Sequence, residues 1–159
     1  MKKRRYSIPV RVGDVVIGGA APIAVQTMTK TDTRDVKATL EQIAKLRDAG
    51  CEIVRPAVPD HEAAAALVEI VKRSPLPVIA DIHYDHTLAL AAIEAGVACL
   101  RLNPGNIVDR DKVIRVVNAA KESDIPFRIG VNAGSPPEEV HRYRRGGHAG
   151  DRADGEATA

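Results

Sequence analysis

The chain has 159 residues, 45% hydrophobic and 28% charged, with a formal net charge of +2, proportions of a globular domain able to bury one core. Three Tyr, one Phe and no Trp are too few rings for a base-stacking platform, and so small a charge does not call for a nucleic-acid partner. No run approaches the roughly 18 apolar residues of a membrane span, no signal-peptide core follows the basic start MKKRRY, and Cys51 and Cys99 stand far apart outside any Cys-x-x-Cys pair, which reads as free thiols in a reducing cytoplasm.

From the amino end, VRVGDVVIG reads as a small hairpin turning at Gly13-Asp14, with Gly first as a type II′ turn prefers. The apolar run IAVQTM then predicts a strand. A helix follows between Asp32 and Gly50, with the stripe Val36, Leu40, Ile43, Leu46 and a cap from Asp32 or Thr33. The runs EIVRPAV, PVIADIH, CLRLNP and FRIGVN predict four more strands. Helices between them start near Asp60, near Asp85 and near Asp109. The last carries Val113, Val116, Val117 and Ala120 on one face. DAGCEIVR and EAGVACLR repeat one pattern, with Gly50 to Gly96 and Arg55 to Arg101 both 46 residues apart. That period is two strand–helix units of about 23 residues.

Strands alternating with helices imply a parallel sheet covered by helices. The first strand–helix connection, MTKTDTRD, has no glycine, where a dinucleotide fold wants a Gly-rich phosphate turn. Polar residues instead recur at the carboxyl ends of the strands, as in barrel enzymes. The expected fold is therefore α/β, a partial (β/α)8 TIM-type barrel of about five parallel strands and four helices with an N-terminal β-hairpin.

Side chains alternate across a strand. Val78, Ala80 and Ile82 then oppose Ile79, Asp81 and His83; Leu100 and Leu102 oppose Cys99, Arg101 and Asn103; Phe127, Ile129 and Val131 oppose Arg128, Gly130 and Asn132. The polar set is expected inside the barrel near its top, joined by Ile53 and Arg55, and by Gln26 and Met28. Three arginines, Arg55, Arg101 and Arg128, around one mouth repel one another unless an anion sits among them. Guanidinium groups match phosphate oxygens in pairs of parallel hydrogen bonds. The pattern points to a small ligand with more than one phosphate group, its hydroxyls and reacting carbon oriented by Asp81, His83, Asn103 and Asn132. The alternative is plain pairing of each arginine with a nearby carboxylate, with Asn103 and Asn132 as turn residues. In ADIHYDHT, Asp81 and His83 end a strand and suit substrate orientation or proton handling. Asp85 suits an N-cap, and His86 is expected to be exposed. Two ligands from one strand do not make a metal site, so no metal is assigned. Cys51 and Cys99 read as small core residues.

The runs PIAVQTMTKTDTRDV, EIVRPAVP, ADIHYDHTLAL, CLRLNPGNI and RIGVNAGS resemble the amino-terminal barrel of the 4-hydroxy-3-methylbut-2-enyl diphosphate synthase family, from about Arg4 to Ser135. The resemblance implies an oxidoreductase of non-mevalonate isoprenoid biosynthesis, opening 2-C-methyl-D-erythritol 2,4-cyclodiphosphate reductively. It puts Arg55, Arg101 and Arg128 at diphosphate-holding positions, and Asp81, His83, Asn103 and Asn132 along the same pocket. It implies a homodimer, a four-iron four-sulfur cluster in a separate carboxyl-terminal domain, and ferredoxin or flavodoxin as electron donor. No cluster is expected on this chain, and Cys51 and Cys99 match none of its ligands. Residues 136–159 depart from the family pattern and are expected to be disordered or weakly helical. They read as a chain end after a frameshift or early truncation in preference to a genuine tail, with residues 1–135 an incomplete barrel domain and the cluster domain absent. Such a chain is expected to be inactive by itself. Two other readings stay open: a diphosphate-binding half-barrel without chemistry, and another phosphate-binding barrel such as a pteroate synthase.

Overall fold

The computed structural model describes residues 6–83, 85–103 and 109–130. Asn132, Val131 and the segment 136–159 lie outside them. A hairpin, β1 (Val10–Val12) and β2 (Val15–Ile17), precedes five strands: β3 (Gln26–Met28), β4 (Ile53–Arg55), β5 (Ile79–Ile82), β6 (Cys99–Leu102) and β7 (Phe127–Ile129). Between them run α1 (Val36–Asp48), α2 (His61–Arg73), α3 (His86–Glu94) and α4 (Arg110–Glu122). β3 pairs parallel with β4, and β5, β6 and β7 pair parallel in that order. Parallel bridges Val54↔Val78 and Ala57↔Asp81 join the two sets, so the five strands follow chain order around an arc. This is the expected partial (β/α) barrel, and its family assignment below agrees.

Each helix begins at an aspartate whose carboxylate accepts from a backbone N–H of the first turn: Asp35 from Ala38, Asp60 from Ala63, Asp85 from Thr87, Asp109 from Asp111 and Lys112. Such a cap contributes about 1 kcal/mol. The first cap corrects the sequence expectation of Asp32 or Thr33. Asp32 instead binds the Arg34 guanidinium at 2.7 Å, and the Thr33 hydroxyl donates to Ala57 O at 2.6 Å, which ties the β3–α1 loop to the end of β4.

The strands separate two apolar layers by simple alternation. Val54, Val78, Ala80, Ile82 and Leu100 face outward and pack under the helices with Ile43, Leu67, Ile70 and Val116. Ile53, Ile79 and Cys99 face inward and form a second cluster with Val12 of the hairpin. Gly13, with φ +60°, and Asp14 with negative φ make the expected type II′ turn. That turn lies against Pro77, just before β5: a Cβ on Gly13 would meet Pro77 Cγ at 2.9 Å. The hairpin thus covers the amino-terminal end of the sheet and leaves the carboxyl end for polar groups.

At the β7 side two apolar sets are only half buried. Val113 and Val117 are 38% and 42% exposed, and only Val116 and Ala120 of the α4 stripe are buried. Ile129 is 72% exposed. Among the described residues α4 is flanked by α3 alone and β7 is an outer strand, so half of each apolar set has nothing to pack on. His86, expected to be exposed, is largely covered, with 13% of its side chain accessible beside Asp85.

Candidate functional site

The inward rows above the apolar cluster hold the charged residues. Asp81, Arg101 and Arg128 are direct register partners across β5, β6 and β7. Arg55 ends β4, in register with Met28 of β3. The 46-residue repeat explains the layout. It spans two strand–helix units, so Arg55 and Arg101 sit on the strands flanking β5 and both lean on its one carboxylate.

Asp81 is 2% exposed. Its Oδ1 accepts from Arg101 Nη1 at 2.9 Å, and its Oδ2 lies 3.3 Å from Arg55 Nε. His83 Nε2 is 3.5 Å from Oδ1, on a side chain 37% exposed. The pairing alternative is therefore realised for two of the three arginines, by a strand residue. Arg128 has no carboxylate partner among the described residues; its Nη1 donates to Gln26 Oε1 across the mouth. Gln26 and Met28 join the set as expected, with Arg55 Nη2 3.0 Å from Met28 Sδ. Asn103 is buried at the end of β6, and Asn132 falls outside the described residues.

Three guanidiniums against one carboxylate leave an excess of positive charge. The pKa of Arg55 carries that excess. Burial lowers it first, Asp81 offsets part of the loss, and the neighbouring Arg128 and Arg101 lower it further. Arg55 Nε is buried with no hydrogen-bond partner of its own. The arrangement favours an anion entering the mouth, where charge-assisted bonds from guanidinium are strongest.

Gly130 follows β7 and leaves room for the Arg101 side chain. A Cβ there would lie 2.7 Å from Arg101 Nε. Its signal is a glycine at a strand end, which marks a close approach. A cleft of about 610 Å³ lies at the opposite end of the barrel, between the hairpin and the ends of α3 and α4. Its lining carries Arg11 and Lys121 beside Asp124, not the three guanidiniums of the mouth. A smaller cavity of 210 Å³ beside His83, Asp85 and Leu88 opens near the mouth.

The match to the GcpE TIM-barrel domain covers residues 7–151. The chain belongs to this family. The GcpE barrel is 56% identical over 140 residues to the 4-hydroxy-3-methylbut-2-en-1-yl diphosphate synthase (flavodoxin) of Dehalococcoides mccartyi, spanning 88% of this chain and 40% of that protein. It is 58% identical over 140 residues to the protein of the same name in Thermodesulfovibrio yellowstonii, with the same coverage. The Clostridium acetobutylicum protein of that name is 56% identical over 137 residues, covering 86% of this chain and 39% of its own length. The chain thus spans about 40% of the length of the curated relatives it matches. Among solved structures, the phospho-2-dehydro-3-deoxyheptonate aldolase of Thermotoga maritima matches 78% of this chain and 37% of its own length, with a TM-score of 0.56 and 14% identity. That likeness speaks for the fold alone.

The described residues do not fit an iron–sulfur cluster, which needs several thiolates together. Cys51 packs in the outer layer and Cys99 in the inner one. Burial pushes the Cys99 thiol up to about 11, away from the thiolate form. No group of three or more His, Cys, Asp or Glu among the described residues could hold a metal ion, and no described helix is long and apolar enough to cross a membrane.

Proposed function

We propose that this GcpE barrel is the diphosphate-binding part of a 4-hydroxy-3-methylbut-2-enyl diphosphate synthase, an oxidoreductase of non-mevalonate isoprenoid biosynthesis. Its ligand is 2-C-methyl-D-erythritol 2,4-cyclodiphosphate. The observation that carries the reading is the cluster of three inward guanidiniums, two of them sharing one carboxylate, in a chain more than half identical over 140 residues to proteins of that name. Arg55, Arg101 and Arg128 neutralise the two phosphates. Asn103 orients the ligand's hydroxyls, as does Asn132. His83, partly open beside Asp81, is the group placed to handle a proton at the reacting carbon.

Reductive opening of the ring needs two electrons. On this reading they come from flavodoxin, named in the relatives, through a four-iron four-sulfur cluster bound by residues other than those described, and the chain alone binds the ligand without reducing it. Two buried free thiols suit a reducing cytoplasm. Calorimetric titration of the folded chain with the cyclic diphosphate tests the assignment. Saturable binding at one site, weakened by salt, is expected. No heat from a sample with native near-UV circular dichroism overturns it.

A further inference from the structure

We propose that Asp81 and Gly130 are positioning residues, which hold the Arg55 and Arg101 guanidiniums at the separation needed to grip one diphosphate together. This rests on the diphosphate reading above. Asp81 is nearly fully buried and both its oxygens are taken, Oδ1 by Arg101 at 2.9 Å and Oδ2 by Arg55 at 3.3 Å. A carboxylate so enclosed suits a clamp between two strands better than a group that meets substrate. Arg101 still has further N–H donors to offer, since a guanidinium carries five.

Gly130 closes the other side. Its missing side chain is the space Arg101 occupies: a Cβ would come within 2.7 Å of Nε and 3.0 Å of Nη2. The backbone cannot retreat freely, because Gly130 N–H donates to Leu102 O at 3.0 Å. Gly130 O lies 3.5 Å from Nη2 and accepts from it. Arg101 is thus set by a carboxylate on one strand and a bare backbone on the next, and its plane is determined by both.

The two residues make a test with opposed signs. Asp81→Asn removes a negative charge from a cationic cluster. Coulomb attraction alone then makes any anion bind more tightly. If Asp81 acts by position, the guanidiniums splay and binding weakens instead. Gly130→Ala leaves every charge in place and displaces Arg101 alone. The measurement is titration calorimetry of the full chain and both variants with inorganic pyrophosphate and, separately, with sulfate. Melting curves serve as the fold check.

Each substitution is expected to weaken pyrophosphate binding about tenfold or more, the scale of one lost charge-assisted bond, while sulfate affinity holds in Gly130→Ala and holds or rises in Asp81→Asn, which has lost a repelling charge. A single tetrahedral anion needs no matched pair of guanidiniums, so a loss of fold would lower both affinities and a misaimed pair only the first. Pyrophosphate binding as tight as, or tighter than, that of the unsubstituted chain in either folded variant overturns the proposal. Equal losses for both anions do so too. If Asp81→Asn does not fold, Gly130→Ala decides alone. No pyrophosphate binding by the folded unsubstituted chain overturns the diphosphate reading, and this inference with it.

Discussion

The three arginines differ in burial, and that difference predicts a separation between stability and binding. Arg101→Ala takes a guanidinium 7% exposed away from a carboxylate 2% exposed, 2.9 Å distant. Breaking a buried pair costs about 3–5 kcal/mol, because the remaining charge is left without its counterion. Arg55, 3.3 Å from the other oxygen, stays to neutralise part of it, so the lower end, about 3 kcal/mol, is expected. With a urea slope of about 2 kcal/mol per molar, the midpoint falls by about 1.5 M. Arg128 is exposed and bonds Gln26 across the open mouth. Arg128→Ala should therefore move stability by no more than about 0.5 kcal/mol. Both substitutions should weaken pyrophosphate binding. Urea unfolding followed by circular dichroism, in phosphate-free buffer so that no ligand stabilises the folded state, reads the first quantity, and calorimetry the second. A midpoint shift for Arg128→Ala as large as that for Arg101→Ala would refute the reasoning, since burial would then not govern the cost.

Two further outcomes follow from local chemistry. The Asp85 carboxyl is held below its ordinary value of 3.8, chiefly by the Thr87 backbone N–H it caps. A depressed folded-state value gives stability that is present above 3.8 and lost as pH falls through the folded value. Asp85→Ala should thus cost about 1 kcal/mol at neutral pH and less in acid, so that the melting temperatures of the two proteins converge below about pH 3.8; a constant gap across pH contradicts the cap. Cys99, 3% exposed and pushed up to about 11, should react with a thiol reagent at pH 8 about two orders of magnitude more slowly in the folded chain than in urea. Rapid labelling of Cys99 in the native state, mapped by mass spectrometry, would show that the inner layer is open.

Strand and helix order, the hairpin turn and the two faces of β5 and β6 were readable because each depends on near neighbours in the chain. Alternation along a strand and apolar spacing along a helix are local periods. The first cap was misread because Asp32, Thr33 and Asp35 are all capping residue types within four positions. The choice among them depends on Arg34, which binds Asp32, and on Ala57 O, which takes Thr33. The recurrence of capping aspartates at 35, 60, 85 and 109 was a usable signal, because each strand–helix unit has nearly the same length.

By themselves, the residues determined that three arginines lie in three inward rows, near the carboxyl ends of their strands. They could not determine which arginine is buried. Only the tertiary structure decided that Arg55 and Arg101 share Asp81 while Arg128 reaches Gln26 of β3, a residue 102 positions away. It also decided that Val113 and Ile129 stay exposed. The physical reason is the same in both cases. Periodicity states which face of an element a side chain occupies, but the partner on that face comes from closure of the sheet, which brings together strands whose separation in sequence leaves no periodic trace.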